Sequence, residues 1–219
     1  ERGTVPASAE RYLSDTKLRI LLLRLAADHP AAADDPGLPH RAAERALAEA
    51  SARHVPYDFA MDIGDARQMY CSEVAWTPYR DLGVELWRVR STMSSPGLRR
   101  WLADFGVRHF RTLAPSDLEY DPQLVVVAEW RDPETLWQDH LDNAVVDAML
   151  ERAVPDAGLP YARRLLPVAR LAKAWSVLLN VLGRVGPVPE GMSAAAALRS
   201  QRFTADHLAA RTRLEEAAA

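Results

Sequence analysis

Leu18 to Leu25 is an almost unbroken apolar run, the pattern of a strand covered on both faces. Before it, Ser8 to Leu13 predicts a short helix in an otherwise polar, irregular start. Asp28 to Pro39 carries three prolines and a glycine and reads as a loop. Ala43, Ala46, Leu47 and Ala50 then recur at helical spacing while Glu44, Arg45 and Glu49 face away. That predicts an amphipathic helix with a small-residue face, ending near His54 because Pro56 disfavours helical geometry at Val55. Tyr57 to Ile63 alternates loosely and reads as a strand or an extended approach, with turn chemistry at Asp62, Gly64 and Asp65. Val74, Ala75, Tyr79 and Leu82 return to helical spacing, and Gly83 stands where that helix stops. Pro78 removes the bond to the Val74 carbonyl, so this helix is expected to be short or kinked.

Val84 to Val89 reads as a short strand. Ser95 as N-cap with Pro96 at the first helical position opens a helix packed through Leu98, Trp101, Leu102 and Phe105. Val107 to Leu113 is a strand candidate, and Leu124 to Trp130, bounded by Asp121-Pro122 and Asp132-Pro133, is the clearest strand of the second half. Asp132 and Pro133 open a long helix whose apolar side is Trp137, Leu141, Ala144, Val145 and Ala148. From Ala153 the strand patterns stop. Val168, Leu171, Ala172, Trp175, Leu178, Leu179 and Leu182 form an apolar stripe ended by Gly183, and Ser193 to Glu216 is a further Ala-rich helix. The change of character divides the chain into 1–153 and a helical extension, 154–219.

At 219 residues the chain is long enough for a real core, and 48% hydrophobic with 26% charged residues is the composition of a globular protein. A net charge of −3 gives no electrostatic footprint for nucleic acid. The bias to Ala and to Arg over Lys reflects genome composition rather than function. No run approaches the eighteen or so apolar residues of a membrane span, and Glu1 is followed by no basic-then-apolar leader pattern. The compartment, cell envelope or cytoplasm, stays open.

Cys71 is the sole cysteine, so it forms no internal disulfide. It falls at or just before the helix that begins near Val74. Unpaired N–H groups and the helix dipole favour a thiolate there, and a thiolate is the form that attacks carbonyls. A buried, inert thiol is the competing reading from position alone. Ser72 and Glu73 sit in the first helical turn, where a hydroxyl or carboxylate is stabilising by roughly 0.3–1 kcal/mol, and a structural role is the reading for both. Asp58, Asp62 and Asp65 lack the calcium-loop spacing and no His or Cys completes a zinc set, so they read as turn formers and no metal or other cofactor is expected.

Tyr57-Asp58-Phe59, the acidic turn Asp62-Ile63-Gly64-Asp65 and Tyr70-Cys71-Ser72-Glu73-Val74 together resemble the signature of the permuted papain-like amidases, the YiiX-like branch of the NlpC-type cysteine hydrolases. Three further pieces agree in order: the strand ending in Arg24-Leu25, the Ala-rich helix before Tyr57, and the passages Pro115-Ser116-Asp117-Leu118 and Asp121-Pro122-Gln123-Leu124. The similarity runs from about Glu1 to Trp130. It implies an α+β fold, a papain-like sheet-and-helix core followed by the helical extension. It also implies a cysteine hydrolase acting on an amide, peptide or acyl ester, with cell-wall peptides or acyl-lipid substrates in view. Cys71 would be the nucleophile, with Tyr57 or Tyr70 helping at the oxyanion and Asp58, Ser72 and Glu73 in support.

The resemblance places the base upstream of the cysteine, in a Ser-His-Val-Gly-like strand that this chain lacks. His29 and His40 flank the proline-rich loop, His54 stands at a helix end, and His140 and His207 lie on predicted helices with a solvated look. His109, in the candidate strand after the cysteine, is the alternative base. The chain is therefore expected to begin inside the domain, with the histidine supplied from upstream. Competing readings are a thiol-dependent acyltransferase, a non-catalytic papain-like binding module, and a membrane-surface role for 168–182, which is disfavoured against simple packing or dimerisation. Oligomeric state is not legible.

Overall fold

The computed structural model describes residues 3–14, 18–88, 90–153 and 157–218. Helices and small antiparallel sheets make it an α+β protein. Contacts gather it into two compact units. One, the cysteine-bearing unit, comprises Gly3–Thr92 and Arg111–Asp132; the helical unit comprises Met93–Phe110 and Pro133–Ala219. This division differs from the boundary at 153/154, which falls at residues outside the described ones.

In the cysteine-bearing unit, α1 (Ala9–Ser14) precedes β1 (Arg19–Leu25), and β1 pairs antiparallel with β4 (Leu124–Arg131) from Arg19↔Arg131 to Leu25↔Leu124. A bulge opens where Leu22 faces Ala128 and Leu23 faces Val126, so Val127 has no partner. The expectation of a strand covered on both faces does not hold. Within β1 only Leu25 is buried, and Leu22, Val125, Val126 and Val127 all remain close to half exposed. A ribbon of two strands has one core face, and the bulge turns consecutive valines toward solvent.

The proline-rich stretch is not a loop throughout. Pro30 opens α2 (Pro30–Asp34), and Leu38 with Pro39 opens α3 (Leu38–Ala52). Proline is suited to the first helical turn, where its missing N–H would have no partner. The face of α3 that turns inward holds Leu38 and Ala42, while Leu47 is exposed, a rotation from the predicted face. α4 (Glu73–Arg80) is short, contains Pro78 and is followed by Gly83 at φ 83°, all as its sequence predicts. It buries Glu73, Trp76 and Pro78; of the residues at helical spacing, Tyr79 and Leu82 pack half-buried against the core, Val74 is half-buried and Ala75 is exposed. Tyr70, Trp76, Val84, Leu86, Trp87 and Leu113 join Leu25 and Leu38 in one core, where each buried leucine contributes about 1.5–3 kcal/mol.

Tyr57–Ile63 is neither a strand nor extended: after a single parallel bridge between Tyr57 and Met69 it turns at Phe59–Ala60, and Met61 takes a left-handed φ of 59°. Val84–Arg88 is not a strand either; Val89 lies outside the described residues. Trp87 takes a left-handed φ of 55°, and side chains rather than a neighbouring strand satisfy this segment. The Trp87 N–H donates to Asp121 Oδ2 at 2.7 Å, its indole Nε1 donates to the Ala114 carbonyl at 2.8 Å, and Gln123 Nε2 donates to the Glu85 carbonyl at 2.8 Å. Of the candidate strand 107–113 only β3 (Arg111–Thr112) forms, paired with β2 (Ser91–Thr92). A 3₁₀ turn at Pro115–Tyr120 returns the chain to β4, and its Asp117 binds the Ser91 hydroxyl at 2.8 Å.

The helical unit is built from α5 (Pro96–Phe105), α6 (Pro133–Arg152), α7 (Leu166–Val181) and α8 (Ala194–Ala218). Ser95 caps α5 through the Leu98 N–H, as expected, and Gly106 ends it at φ 117°. Trp101 and Phe105 meet Phe203 of α8 edge-on, with ring centroids 5.6 and 5.8 Å apart. Buried Asp104 accepts the Leu159 N–H at 2.6 Å and pairs with Arg199 at 3.3 Å. α7 ends before Gly183 at φ 69°. It buries Ala169 and Ser176, not the large apolar stripe. On α6 the predicted apolar side is buried only at Val145, and Trp137 and Ala144 face solvent.

Candidate functional site

The approach to Cys71 is held by local carboxylate–backbone bonds. Asp58, fully buried, accepts the N–H groups of Ala60 at 2.8 Å and Asp62 at 2.5 Å, while its own N–H donates to the Met69 carbonyl at 3.0 Å. Asp62 accepts the Gly64 N–H at 3.0 Å, and Asp65 accepts the Arg67 N–H at 3.1 Å and also pairs with its guanidinium. These three aspartates shape turns. Arg67 holds the Asp65 carboxyl below its ordinary range, first through the side-chain bond and then through the backbone one. Among the described residues no group of three His, Cys, Asp or Glu side chains is placed to share a metal ion.

At the centre the chain alternates sharply. Tyr70 is buried, Cys71 is exposed, and Ser72 and Glu73 are buried again. Ser72 is the N-cap residue of α4, but its backbone is already helical and its hydroxyl makes no capping bond; its buried Oγ has no partner among the described residues. Glu73 serves instead. Its Oε2 accepts the Tyr70 N–H at 3.1 Å while its own N–H donates to the Tyr70 carbonyl at 3.0 Å. This reciprocal pair fixes the residue on one side of Cys71 against the helix on the other. The Tyr70 hydroxyl accepts the Leu113 N–H at 3.4 Å inside the core, and burial pushes its pKa up. That is a packing position. Tyr57 is half-buried, edge-on to Phe59 at 4.9 Å.

Burial also pushes the Glu73 carboxyl from 4.5 to about 7. The Tyr70 N–H opposes that rise, Asp58 and Asp62 add to it, and Arg80 works against it. The fold therefore holds the Glu73 proton more tightly than the unfolded chain does. Its contribution to stability is complete below pH 4.5 and declines as pH rises toward 7. Glu73→Gln keeps an acceptor for the Tyr70 N–H and removes the charge. Relative to the parent, it should gain stability across that window and reach roughly 2–3 kcal/mol above neutral pH. Urea titrations at pH 4.5 and 8 measure the difference; a variant less stable at both values would show that the carboxylate itself is required.

The cysteine-bearing unit holds three of the histidines. His40 faces solvent 3.3 Å from Glu44, His54 is exposed after α3, and His29 is half-buried, its Nε2 3.2 Å from Gln123 Oε1. Among the described residues no histidine hydrogen-bonds to the Cys71 thiol. His109 belongs to the helical unit, exposed in a loop rather than on the expected strand. His140 is solvated as predicted. His207 is half-buried, stacked on Phe203 and 3.7 Å from Asp142, which corrects the solvated reading. Sequence reading also missed the Asp121–Gln123–His29 cluster. The only sequence signal for it is that Asp121, Pro122 and Gln123 fall in a passage already marked by the resemblance.

The fold and the site thus define an α+β protein with one exposed cysteine immediately ahead of a short helix. No family model, curated protein or solved structure matches the chain.

Proposed function

We propose that this chain is the cysteine-bearing part of a papain-like hydrolase of the permuted NlpC type, acting on an amide, peptide or acyl-ester carbonyl. The observation that carries the reading is Cys71 itself: the one thiol stands outward ahead of α4, between buried neighbours, with Tyr70 held by Glu73. A histidine takes the thiol proton as the sulfur attacks the carbonyl carbon to form a C–S bond, then gives that proton to the amine or alcohol as its C–N or C–O bond breaks. Water, activated by the same histidine, then breaks the C–S bond, releasing the carboxylic acid and returning the thiol. The base is placed on a strand upstream of Glu1. The β1–β4 ribbon supports that placement, since two strands alone are marginal and its exposed apolar residues suit a larger sheet.

The test compares ester and amide hydrolysis by the 219-residue chain and by a form extended upstream, each with a His109→Ala partner. Native Cys71 should label with iodoacetamide in both, because alkylation needs no proton delivered to a leaving group. Turnover should be ~10²–10⁴-fold faster in the extended form and unaffected by His109→Ala. Full activity from the short chain, lost on His109→Ala, would sink the permuted reading. Labelling only after unfolding would leave Cys71 an inert thiol.

A further inference from the structure

The apolar stripe of α7 points the wrong way for a core. Val168, Leu171, Trp175, Leu178 and Leu182 are all exposed, Leu171 by 72% and Trp175 by 55%. The face turned inward carries small residues. Ser176 is fully buried, donating to the Ala172 carbonyl and accepting the Val188 N–H, both at 2.9 Å. Gly186 is required opposite it, because a Cβ there would lie 2.4 Å from the Ser176 Cα. Close packing on Ala and Ser thus leaves the large side chains as an unbroken ridge, of a kind that monomeric surfaces rarely carry.

Charge says what covers it. Residues 157–189 contain no Asp or Glu, in a protein of net charge −3. Arg163 and Arg164 precede the ridge, Arg170 flanks it and Arg184 follows it. All four are exposed, and among the described residues none is ion-paired. A second copy is a poor occupant. Antiparallel pairing would set Arg163 and Arg164 against Arg184, and parallel pairing would set each cation against its own image. The positions beside the stripe where a helix pair carries its opposite charges are occupied by Ala172, Ala174, Leu179 and Val181. No described helix is long and apolar enough to cross a membrane. An anionic bilayer surface satisfies both halves of the pattern: acyl chains accept the ridge and headgroups accept the arginines.

We propose that α7 docks the protein onto anionic membrane surfaces, its Val168–Leu182 ridge buried in the interface and Arg163, Arg164, Arg170 and Arg184 on the headgroups. Co-sedimentation with phosphatidylcholine vesicles, with and without phosphatidylglycerol, tests it. Binding should be at least about tenfold tighter to the anionic vesicles, since each arginine near the surface is worth about fivefold. It should weaken in high salt. Trp175→Glu and, separately, Leu171→Glu should each lower it about tenfold or more with unchanged circular dichroism. Absent binding, equal binding to neutral vesicles, or binding that survives both substitutions would overturn the proposal. So would a dimer in solution that either substitution dissolves, since the ridge would then belong to a second copy.

Discussion

Cys71→Ala is expected to abolish acyl-enzyme formation and hydrolysis in the form extended upstream of Glu1, a loss on the order of 10⁴–10⁶-fold as for other nucleophile deletions. Stability should hardly move. The Cys71 thiol is exposed and makes no hydrogen bond among the described residues, so truncating it costs no core volume and leaves no buried partner unpaired. Such exposed substitutions stay within about 0.5 kcal/mol, or roughly 1–2 °C in melting temperature for a chain of this size. The two readouts together separate nucleophile from structural thiol. A variant that melts several degrees lower yet still forms the acyl-enzyme would place Cys71 in the scaffold and the chemistry elsewhere.

Asp121→Ala is expected to be the most destabilising single change in the cysteine-bearing unit. Its buried carboxylate accepts the Trp87 N–H at 2.7 Å, the Gln123 N–H at 3.0 Å and the Gln123 side-chain amide at 3.1 Å. Hydrogen bonds to a charged acceptor are worth about 1.5–3 kcal/mol each, and a buried donor left without a partner adds its own penalty. Trp87 depends on this bond twice over, because its left-handed backbone costs roughly 1–2 kcal/mol for an L-residue. A loss of about 3–5 kcal/mol follows, or roughly 6–20 °C in melting temperature. Asp121→Asn, which keeps one acceptor oxygen, should lose less. Thermal melts of the two variants decide it; equal losses would mean that the charge, not the hydrogen-bond geometry, holds Trp87.

Element positions in this chain were legible wherever the signal is local. Ser95-Pro96 opens α5, Gly83 and Gly183 stop α4 and α7, and β1 and β4 follow their apolar runs, because caps, stops and side-chain spacing act over a few residues. The position of Cys71 just ahead of α4 belongs to the same class, but its exposure does not. Prolines 30 and 39 misled because a residue that breaks a helix interior also starts one. Tertiary structure alone decided which face of each element is buried. Periodicity shows that α3 and α7 have faces, but what lies opposite comes from distant chain. Gly186 approaches Ser176 too closely for a large residue between them, so α7 turns its leucines outward. The same holds for the buried acids: the roles of Asp121 and Glu73 come from Trp87, 34 residues away, and from a desolvating core. A burial cost of that kind is set by everything packed around the group, and no short stretch of sequence carries it.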